Sequence, residues 1–306
     1  MANDNYPLVS YFVVSYNEEK YIREAVQSAF NQDYPNLEII LSDDNSSDVT
    51  FAIMKEMAAS YQGPHKVILN QNVPNLGPRD HYCKVLYELC HGEFIVFADG
   101  DDISMPNRTS ISVDFMIKHP EVMSLSCESQ HINEEGKYIK RRIRSGASTN
   151  QTSIYTLDDF VDFDLFNLSD DSRVIRRALV DSYPPLKYSY AEDIFLFIRS
   201  LFIGSYAYLR QPLVLYRQRG DSIMGKNRKK RWASRSEIER FNNTTKKQIT
   251  TDFEYAKSRG YISSEGLENV ENKMNYFLRK ISPAKRQLMN KIARRIVLFI
   301  DGHFNI

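Results

Sequence analysis

One short apolar run that ends in carboxylates constrains the fold of this chain more than any other feature. Residues 94–98 are uninterruptedly apolar (FIVFA), a pattern typical of a fully buried strand, and Asp99, Asp101 and Asp102 follow it directly. Three carboxylates at the end of a buried strand repel one another and are costly to desolvate. A hard divalent cation, which takes oxygen ligands, relieves that cost. The run therefore predicts a buried strand and a metal site at its carboxyl end.

The first hundred residues alternate predicted strands and predicted helices. Apolar strand runs and segments with helical spacing take turns along the chain, at residues 8–14, 18–31, 37–41, 49–61, 67–69, 79–90 and 94–98. This order predicts an α/β fold, because βαβ units build a parallel sheet with right-handed crossovers. The polar, acidic loops after the first, second and fourth strands then share one edge of the sheet, where open α/β sheets bind ligands.

The rest of the chain is less regular and ends in a basic tail. Its predicted helices and strands fall at residues 107–118, 123–127, 192–202, 206–209 and 213–216. Residues 221–306 hold 19 Lys and Arg against 9 Asp and Glu, although the net charge of the whole chain is only +1. A basic tail on a more acidic body suits an anionic membrane surface, a polyanion or a diphosphate as a partner.

Cysteine usage and hydropathy both indicate a cytoplasmic protein, either free or bound peripherally to the inner face of the cell membrane. Cys83, Cys90 and Cys127 are an odd set, and Cys83 and Cys90 lie about two helical turns apart, too far for a disulfide. We therefore expect reduced thiols. The N-terminus lacks an apolar signal core, and no stretch reaches the ~18 apolar residues of a membrane span. The six histidines show no ligand spacing that would indicate zinc.

Two common nucleotide-binding signatures are absent. The turn after the first strand contains residues 15–19 (SYNEE) instead of GxGxxG, and GxxxxGK[ST] occurs nowhere. The sequence therefore argues against a dinucleotide oxidoreductase and against a P-loop NTPase.

Four motifs, in their order along the chain, resemble those of the family 2 glycosyltransferases of the GT-A fold. They are an opening strand and turn, an acidic turn, a DxD-like motif and an ED pair that opens an apolar helix, at residues 13–19 (VVSYNEE), 43–48 (DDNSSD), 99–102 (DGDD) and 191–193 (AED). Each motif alone is weak, but four in the right order and at workable spacing form a specific pattern. The likeness covers roughly residues 7–222.

The resemblance implies a division of the chain into two parts. Residues 1–222 would form the GT-A domain, a Rossmann-like, mostly parallel sheet flanked by helices. Within it, residues from about 7 to 105 would bind the nucleotide-sugar, and residues from about 106 to 222 would bind the acceptor. Residues 223–306 would form a helical, basic C-terminal extension that the resemblance does not cover.

The resemblance also assigns roles in binding the donor. Tyr16 would stack on the nucleobase, Asp44 would accept a hydrogen bond from it, and Asp43 would help to shape the pocket. Arg79 would lie near the base or the phosphates, and Asp99 would face the ribose and the sugar. The alternative is that Asp43 and Asp44 have only a structural role, because aspartates also stabilise turns and helix caps.

The same resemblance identifies the groups that carry the chemistry. Asp101 would bind Mn²⁺ or Mg²⁺ across the diphosphate, and Glu18 and Gly100, in the same motifs, are counted with the donor-binding residues. Asp193 would be the general base, with Glu192 as the alternative. The pair could instead be acidic residues that the helix dipole favours.

These roles match what sugar transfer requires. A departing nucleoside diphosphate develops negative charge that a cation neutralises, and a sugar hydroxyl needs a carboxylate to take its proton. One base suffices for a single inverting displacement, whereas a retaining double displacement needs a second, nucleophilic carboxylate. The sequence leaves that choice open, and membership of family 2 implies inversion.

The chain departs from the family pattern at Arg219. Many family members have a histidine at this position, where it ligates the metal, but an arginine stays protonated and is not a metal ligand. We expect Arg219 to contact diphosphate oxygens directly, as a second cation beside the ion.

The sequence thus predicts a metal-dependent inverting glycosyltransferase that uses a nucleotide-sugar, by default a UDP-sugar, and a saccharide or lipid-linked saccharide acceptor. Surface-polysaccharide assembly is the expected setting by family analogy, and no nucleic-acid partner is expected. A sugar-nucleotide nucleotidyltransferase and a non-catalytic saccharide- or polyanion-binding protein are the alternatives. Residues 284–300 predict a basic amphipathic helix, which either packs on the body or lies on a membrane surface. The basic run 226–231 predicts a solvated loop or a segment that closes over the ligand.

Overall fold

Nine strands form a single sheet in the part of the chain that the computed structural model describes, residues 6–139, 152–159, 172–188, 192–219, 235–262 and 267–280. The strands are β1 (Val9–Ser15), β2 (Leu37–Asp43), β3 (Lys66–Gln71), β4 (Phe94–Asp99), β5 (Ile103–Ser104), β6 (Val122–Ile132), β7 (Ser153–Tyr155), β8 (Val174–Arg176) and β9 (Ser205–Arg217).

Helices cover both faces of this sheet. They are α1 (Ile22–Phe30), α2 (Thr50–Ser60), α3 (Pro78–Lys84), α4 (Arg108–Lys118), α5 (Arg177–Asp181), α6 (Glu192–Ile203), α7 (Arg235–Ser258) and α8 (Leu267–Lys280). A π-helical turn, Val85–Leu89, continues α3, and a short 3-10 turn, Leu157–Asp159, follows β7.

The half of the sheet built by the first hundred residues is parallel, as predicted. Its strand order is β3-β2-β1-β4, and all three pairs are parallel. Every residue of β1 and of β2 is buried, which is typical of parallel strands with helices on both faces. The predicted α/β class is therefore confirmed.

Beyond β4 the sheet becomes mixed. The order continues β8-β6-β9-β5, in which β6 and β9 pair in parallel and the other neighbours are antiparallel. The strands β5, β7 and β8 have only two or three residues each, so no apolar run marks them in the sequence.

One long strand replaces two predicted ones. The runs 206–209 and 213–216 both belong to β9, which continues through the polar residues 210–212. The register against β6 shifts on both sides of Glu128, so a bulge absorbs the extra residues. The strand therefore continues through the residues that separate the two predicted strands.

Each face of the sheet carries its own apolar core. On one face, residues such as Val26, Met54 and Val113 join α1, α2 and α4 to the sheet. On the other face, Phe97 of β4 packs in one cluster with Leu196 of α6 and with residues of the π-helical turn and α5. The first turns of α6 therefore lie on the same face of the sheet as the side chain of Phe97.

Two predicted segments of the tail lie outside the described residues. They are the basic run 226–231 and the amphipathic segment 284–300, and their structures stay predictions. Among the helices of the described residues, none is long and apolar enough to cross a membrane.

Candidate active site

Strand register brings the carboxyl ends of β1, β2 and β4 to one level. Ser15 pairs with Asp43 across β1 and β2, and Val14 pairs with Asp99 across β1 and β4. Past the end of β4, the Gly100 N–H donates to the Val14 carbonyl at 2.9 Å. The polar turns after these strands therefore share one edge of the sheet, as the strand order predicts.

The turn after β1 is tied to the turn after β2 and presents an aromatic ring. Asn17 has a φ of 56°, and its N–H donates to Ser46 Oγ at 2.8 Å, while its side-chain oxygen accepts from the Ser47 N–H at 2.8 Å. This left-handed residue delays α1, which begins at Ile22 and not at the predicted residue 18. Tyr16, just before it, keeps 41% of its surface exposed.

Asp43 closes its own turn. Its carboxylate is fully buried and accepts hydrogen bonds from the N–H of Ser46 at 2.9 Å, from the Ser46 hydroxyl and from Gln71 Nε2 at 3.3 Å. These contacts are those of an Asx-type turn. Asp43 thereby fixes the turn after β2, and its role in a nucleobase pocket stays a prediction.

Asp44 holds the loop that leads into α3. One carboxylate oxygen accepts from Asn72 Nδ2 at 2.8 Å and from the Leu76 N–H at 2.9 Å, and the other accepts from the Gly77 N–H at 2.9 Å. The carboxylate is buried, so these donors compensate its desolvation. Its predicted hydrogen bond to a nucleobase stays a prediction, and the structure adds a role in fixing this loop.

A buried histidine lies behind these aspartates. His81 Nε2 lies 2.6 Å from Ser42 Oγ, and Asn70 Nδ2 donates to the same hydroxyl oxygen at 2.9 Å. Burial lowers the pKa of His81 to about 4, so the ring is neutral at physiological pH. No ligand spacing in the sequence indicates this group, because its partners come from β2 and β3.

Arg79 lies in the first turn of α3. Its guanidinium pairs with the neighbouring Asp80 at 2.7 and 2.9 Å and reaches the carbonyl oxygen of Lys187 at 3.5 Å. Arg79 therefore connects the start of α3 to the segment that precedes α6. Its predicted contact with base or phosphate stays a prediction.

Asp99 is a half-buried carboxylate with a tyrosine partner. The Tyr82 hydroxyl donates to Asp99 Oδ1 at 2.6 Å. Burial and the nearby Asp101 raise the pKa of Asp99 to about 6, and Tyr82 opposes that rise. Sequence reasoning missed Tyr82, whose only signal is its place one helical turn after Arg79.

Glu18 reaches back over the end of β4. Its carboxylate accepts a hydrogen bond from Ser15 Oγ at 3.1 Å, and a Cβ at Gly100 would collide with the Glu18 carboxylate and lie 2.8 Å from Ser15 Oγ. A side chain at position 100 would therefore force the Glu18 carboxylate and the Ser15 side chain to move. Burial, followed by repulsion from Asp101, raises the pKa of Glu18 well above its usual range.

Arg219 joins the two acidic motifs. Its Nε lies 2.9 Å from Asp101 Oδ2, and its Nη2 lies 3.1 Å from Glu18 Oε1, while the guanidinium stacks 5.0 Å from the Tyr21 ring centroid. The structure thus places the predicted second cation beside the predicted metal ligand. Tyr21 is an additional residue that the sequence reasoning missed.

Asp102 turns away from this cluster. Its Oδ1 accepts from the backbone N–H of Arg217 at 2.8 Å, and the Arg217 side chain donates to the Asp101 carbonyl at 2.9 Å. These two bonds fasten the end of β9 to the turn after β4. This connection helps to place Arg219, two residues on, within reach of Asp101.

The donor set fits a divalent cation that shares its coordination with a ligand. In the residues that the structure describes, no group of three His, Cys, Asp or Glu side chains is arranged to hold a metal ion by itself. Asp101 offers a single carboxylate at an open edge, and Mg²⁺-type sites commonly combine one or two carboxylates with substrate phosphates and water. The chemistry of these residues therefore suits an ion that arrives with a diphosphate.

The predicted base opens helix α6. Asp193 is the second residue of this helix, but its side chain, like that of Glu192, lies outside the described part of the structure. Because Leu196 packs in one cluster with Phe97, the first turns of α6 lie over the face of β4 that carries Phe97. The role of Asp193 stays a prediction.

Comparisons with known proteins agree with this arrangement. The family model described as glycosyl transferase family 2 matches residues 10–183. EpsE of Bacillus subtilis, classed by name as a glycosyltransferase, is 38% identical over 115 residues, which are 37% of this chain and 40% of EpsE. A chondroitin synthase of Escherichia coli is 31% identical over 133 residues, 44% of this chain and 19% of that protein. The chain thus matches less than half the length of these relatives.

Solved structures share the fold across nearly the whole chain. S. aureus TarS 1–349 superposes with a TM-score of 0.62 at 19% identity and covers 93% of this chain and 77% of that one. The mannosyltransferase PcManGT of Pyrobaculum calidifontis, solved with GDP-Man and Mn²⁺, gives a TM-score of 0.53 at 16% identity over 97% of this chain and 75% of its own. The fold is therefore that of the GT-A glycosyltransferases. The family model also matches more than half of the residues of this chain. The chain therefore belongs to glycosyl transferase family 2.

Proposed function

We propose that this chain transfers a sugar from a nucleotide-diphosphate sugar to a hydroxyl of a saccharide or lipid-linked saccharide, with a divalent cation and inversion at the anomeric carbon. One observation carries the proposal. Asp99 and Asp101 end a buried strand at the sheet edge where Tyr16 presents an exposed ring and Arg219 a cation. Such an edge offers separate groups for a base, a ribose and a diphosphate.

UDP is the donor nucleotide that we propose first. TarS has been solved with UDP-GlcNAc and with UDP, and its fold is shared with this chain. Tyr16 would stack on the base above Asp43 and Asp44, Arg79 would lie at the pocket wall, and Asp99 would face the ribose. Because PcManGT was solved with GDP-Man, guanosine diphosphate sugars are the second class of donor to be tested.

Asp101 would hold the cation, Mn²⁺ or Mg²⁺, together with oxygens of the diphosphate. The ion, when bound, supplies positive charge against the negative charge of the leaving diphosphate. Arg219 would then move its guanidinium from Asp101 to the diphosphate oxygens, since a planar fork matches their geometry. Glu18 and Gly100 support this exchange, because the Glu18 carboxylate holds Arg219 close to the end of β4.

Asp193 would act as the general base. Its position at the start of α6 lies on the face of the sheet that carries Phe97, so an acceptor bound at the N-terminal end of α6 would meet a carboxylate opposite the diphosphate. A carboxylate there takes the proton of the attacking hydroxyl. A single base on that side supports one displacement with inversion.

Two observations support the proposed acceptor: one relative matched in sequence, and the basic C-terminal segment. The relative named chondroitin synthase supports a saccharide acceptor. The basic segment 284–300 supports a lipid-linked one, because a basic amphipathic helix binds anionic membrane surfaces. Deletion of residues 284–306 should then lower the fraction of the protein that cosediments with anionic liposomes, and unchanged cosedimentation would favour packing on the body.

Donor turnover tests the core of the proposal. The purified chain is incubated with UDP-, TDP- and GDP-sugars with Mn²⁺, Mg²⁺ or EDTA, and released nucleoside diphosphate is measured. We expect slow release from one donor class, lost in EDTA and in Asp101→Asn but kept in Asp114→Asn, an exposed carboxylate on α4. Cation-independent release, or full activity of Asp101→Asn, would contradict the metal role.

A further inference from the structure

The segment between α5 and α6 is held from outside by the helix that follows the GT-A motifs. Residues 182–188 lead towards Glu192 and Asp193, and hydrogen bonds from several elements fix their backbone. The Tyr87 hydroxyl donates to the Tyr183 carbonyl at 3.1 Å, and the Tyr261 hydroxyl, just past α7, donates to the Ser182 carbonyl at 3.3 Å.

Gln248 of α7 holds the end of this segment. Its Oε1 accepts from the backbone N–H of Lys187 at 3.0 Å and from that of Tyr188 at 2.9 Å. Its Nε2 donates to Asp252 Oδ1, one turn further along α7, at 2.9 Å. Gln248 is only 1% exposed, and without its side chain both backbone donors would lose this partner.

Asp252 of α7 binds helix α6 itself, after Glu192 and Asp193 in the sequence. It forms a bidentate ion pair with Arg199 of α6, from Nε at 2.9 Å and from Nη2 at 2.8 Å, and Arg199 Nη1 donates to the Pro184 carbonyl at 3.0 Å. Arg199 and Asp252 are 1% and 2% exposed at their side chains. A buried fork of this kind fixes distance and orientation together.

One face of α7 therefore contacts the chain both before and after Glu192 and Asp193. Gln248 fixes Lys187 and Tyr188, a few residues before the pair, and Asp252 fixes Arg199, less than two turns after it. The family model ends at residue 183, so this support comes from a part of the chain outside the matched region. Gln248 and Asp252 lie on α7, whereas Tyr16 and Asp101 lie on the turns after β1 and β4.

We infer that Gln248 and Asp252 are positioning residues for the catalytic start of α6. The inference rests on the proposed role of Asp193 as base. A carboxylate must meet the attacking hydroxyl at hydrogen-bond distance, and a misplacement of about 1 Å costs roughly a hundredfold in rate. Loss of the Gln248 contacts frees the backbone ahead of α6 and leaves the turns after β1, β2 and β4 unchanged. The Lys187 carbonyl also accepts from Arg79 at 3.5 Å, at the limit of hydrogen-bond distance, and Arg79 keeps its closer pair with Asp80 in the variant.

Gln248→Met tests this inference, because it keeps the side-chain length and removes the amide. Thr245→Val is the matched control. Thr245 lies one turn earlier on the same helix, is 4% exposed, and its Oγ1 has no hydrogen-bond partner among the residues that the structure describes. We expect kcat for transfer to fall at least tenfold in Gln248→Met, with KM for the donor and the affinity for UDP within twofold of the parent. Thr245→Val should match the parent in all three.

Hydrogen exchange provides a readout that does not depend on turnover. Amides of residues 184–196 should exchange faster in Gln248→Met than in Thr245→Val. Equal exchange in the two variants would overturn the inference, and so would faster exchange with an unchanged kcat. If the parent itself transfers no sugar, the proposed function fails, whereas the exchange result still decides whether α7 holds this segment. If Gln248→Met does not fold, Gln248→Asn, which withdraws the amide by one methylene, takes its place in both measurements.

Discussion

Arg219 Nε lies 2.9 Å from Asp101 Oδ2, although the two residues are separated by more than a hundred positions in the sequence. The contact depends on β9, whose last residue is fastened to the turn after β4 through Asp102. Arg219 also pairs with Glu18, so one guanidinium serves two carboxylates that would otherwise repel each other. An incoming cation at Asp101 and this guanidinium compete for the same carboxylate.

Arg219→Met separates these two roles of the guanidinium. Because charge-assisted hydrogen bonds contribute about 1.5–3 kcal/mol each, the Kd for UDP in EDTA should rise by about tenfold or more, while the Kd for uridine should stay unchanged. Mn²⁺ without nucleotide should bind the variant more tightly, because Asp101 no longer pairs with a resident cation. Titration calorimetry measures all three, and Arg219→Lys should be intermediate. Equal UDP affinity in EDTA would show that Arg219 stays with the carboxylates.

Asp44→Asn should weaken the loop between β3 and α3. The carboxylate accepts three hydrogen bonds, from Asn72, Leu76 and Gly77, and an amide turns one acceptor into a donor that faces N–H groups. A buried donor without a partner costs about 1–3 kcal/mol, so the free energy of unfolding should fall by that amount. Urea denaturation measures it, with the exposed Asp33→Asn as the control. A change equal to that of the control would contradict the role of Asp44 in the loop.

The parallel half of the fold follows directly from sequence pattern. The apolar run of β4 and the helical spacing after β1 and β2 predict βαβ order, and the register then puts Ser15, Asp43 and Asp99 at one level. The same reasoning predicts that the turns after these strands share an edge. The roles of Tyr16, Glu18 and Asp101 in those turns rest on the family resemblance.

The partners of these residues do not follow from pattern. Tyr82 reaches Asp99 from a helix, and Glu18 and Arg219 meet across some two hundred positions, so no local spacing encodes either contact. The two-residue and three-residue strands β5 and β8 depend on tertiary pairing and not on their own propensity. The contact of α7 with residues 187 and 188 is likewise not encoded by local spacing, because a single buried glutamine, Gln248, makes it.

Asp99→Asn should stabilise the protein at high pH and not at low pH. The pKa of Asp99 rises to about 6 in the folded chain, first because of burial and then because of Asp101, so the folded state binds this proton more tightly than the unfolded state. The parent therefore loses stability as the pH rises from about 4 to about 6. An asparagine is neutral at every pH and still accepts from Tyr82.

Thermal unfolding at pH 4 and pH 8 checks this. The variant should unfold at the temperature of the parent at pH 4 and at a higher temperature at pH 8. A difference of the same size at both pH values would show that the carboxyl group of the folded parent ionises in its usual range.

Asp193→Asn should separate donor binding from chemistry. An asparagine at the start of α6 keeps the shape of the side chain but takes no proton, so kcat for transfer should fall by a factor of about 10² to 10⁴, the usual contribution of a general base. The Kd for UDP with Mn²⁺ should stay within twofold of the parent, because the donor groups lie on the turns after β1, β2 and β4. Glu192→Gln is the matched control and should keep most of its activity. If transfer by Asp193→Asn stays within threefold of the parent while Glu192→Gln loses it, the base is Glu192, and α6 presents the preceding carboxylate to the acceptor.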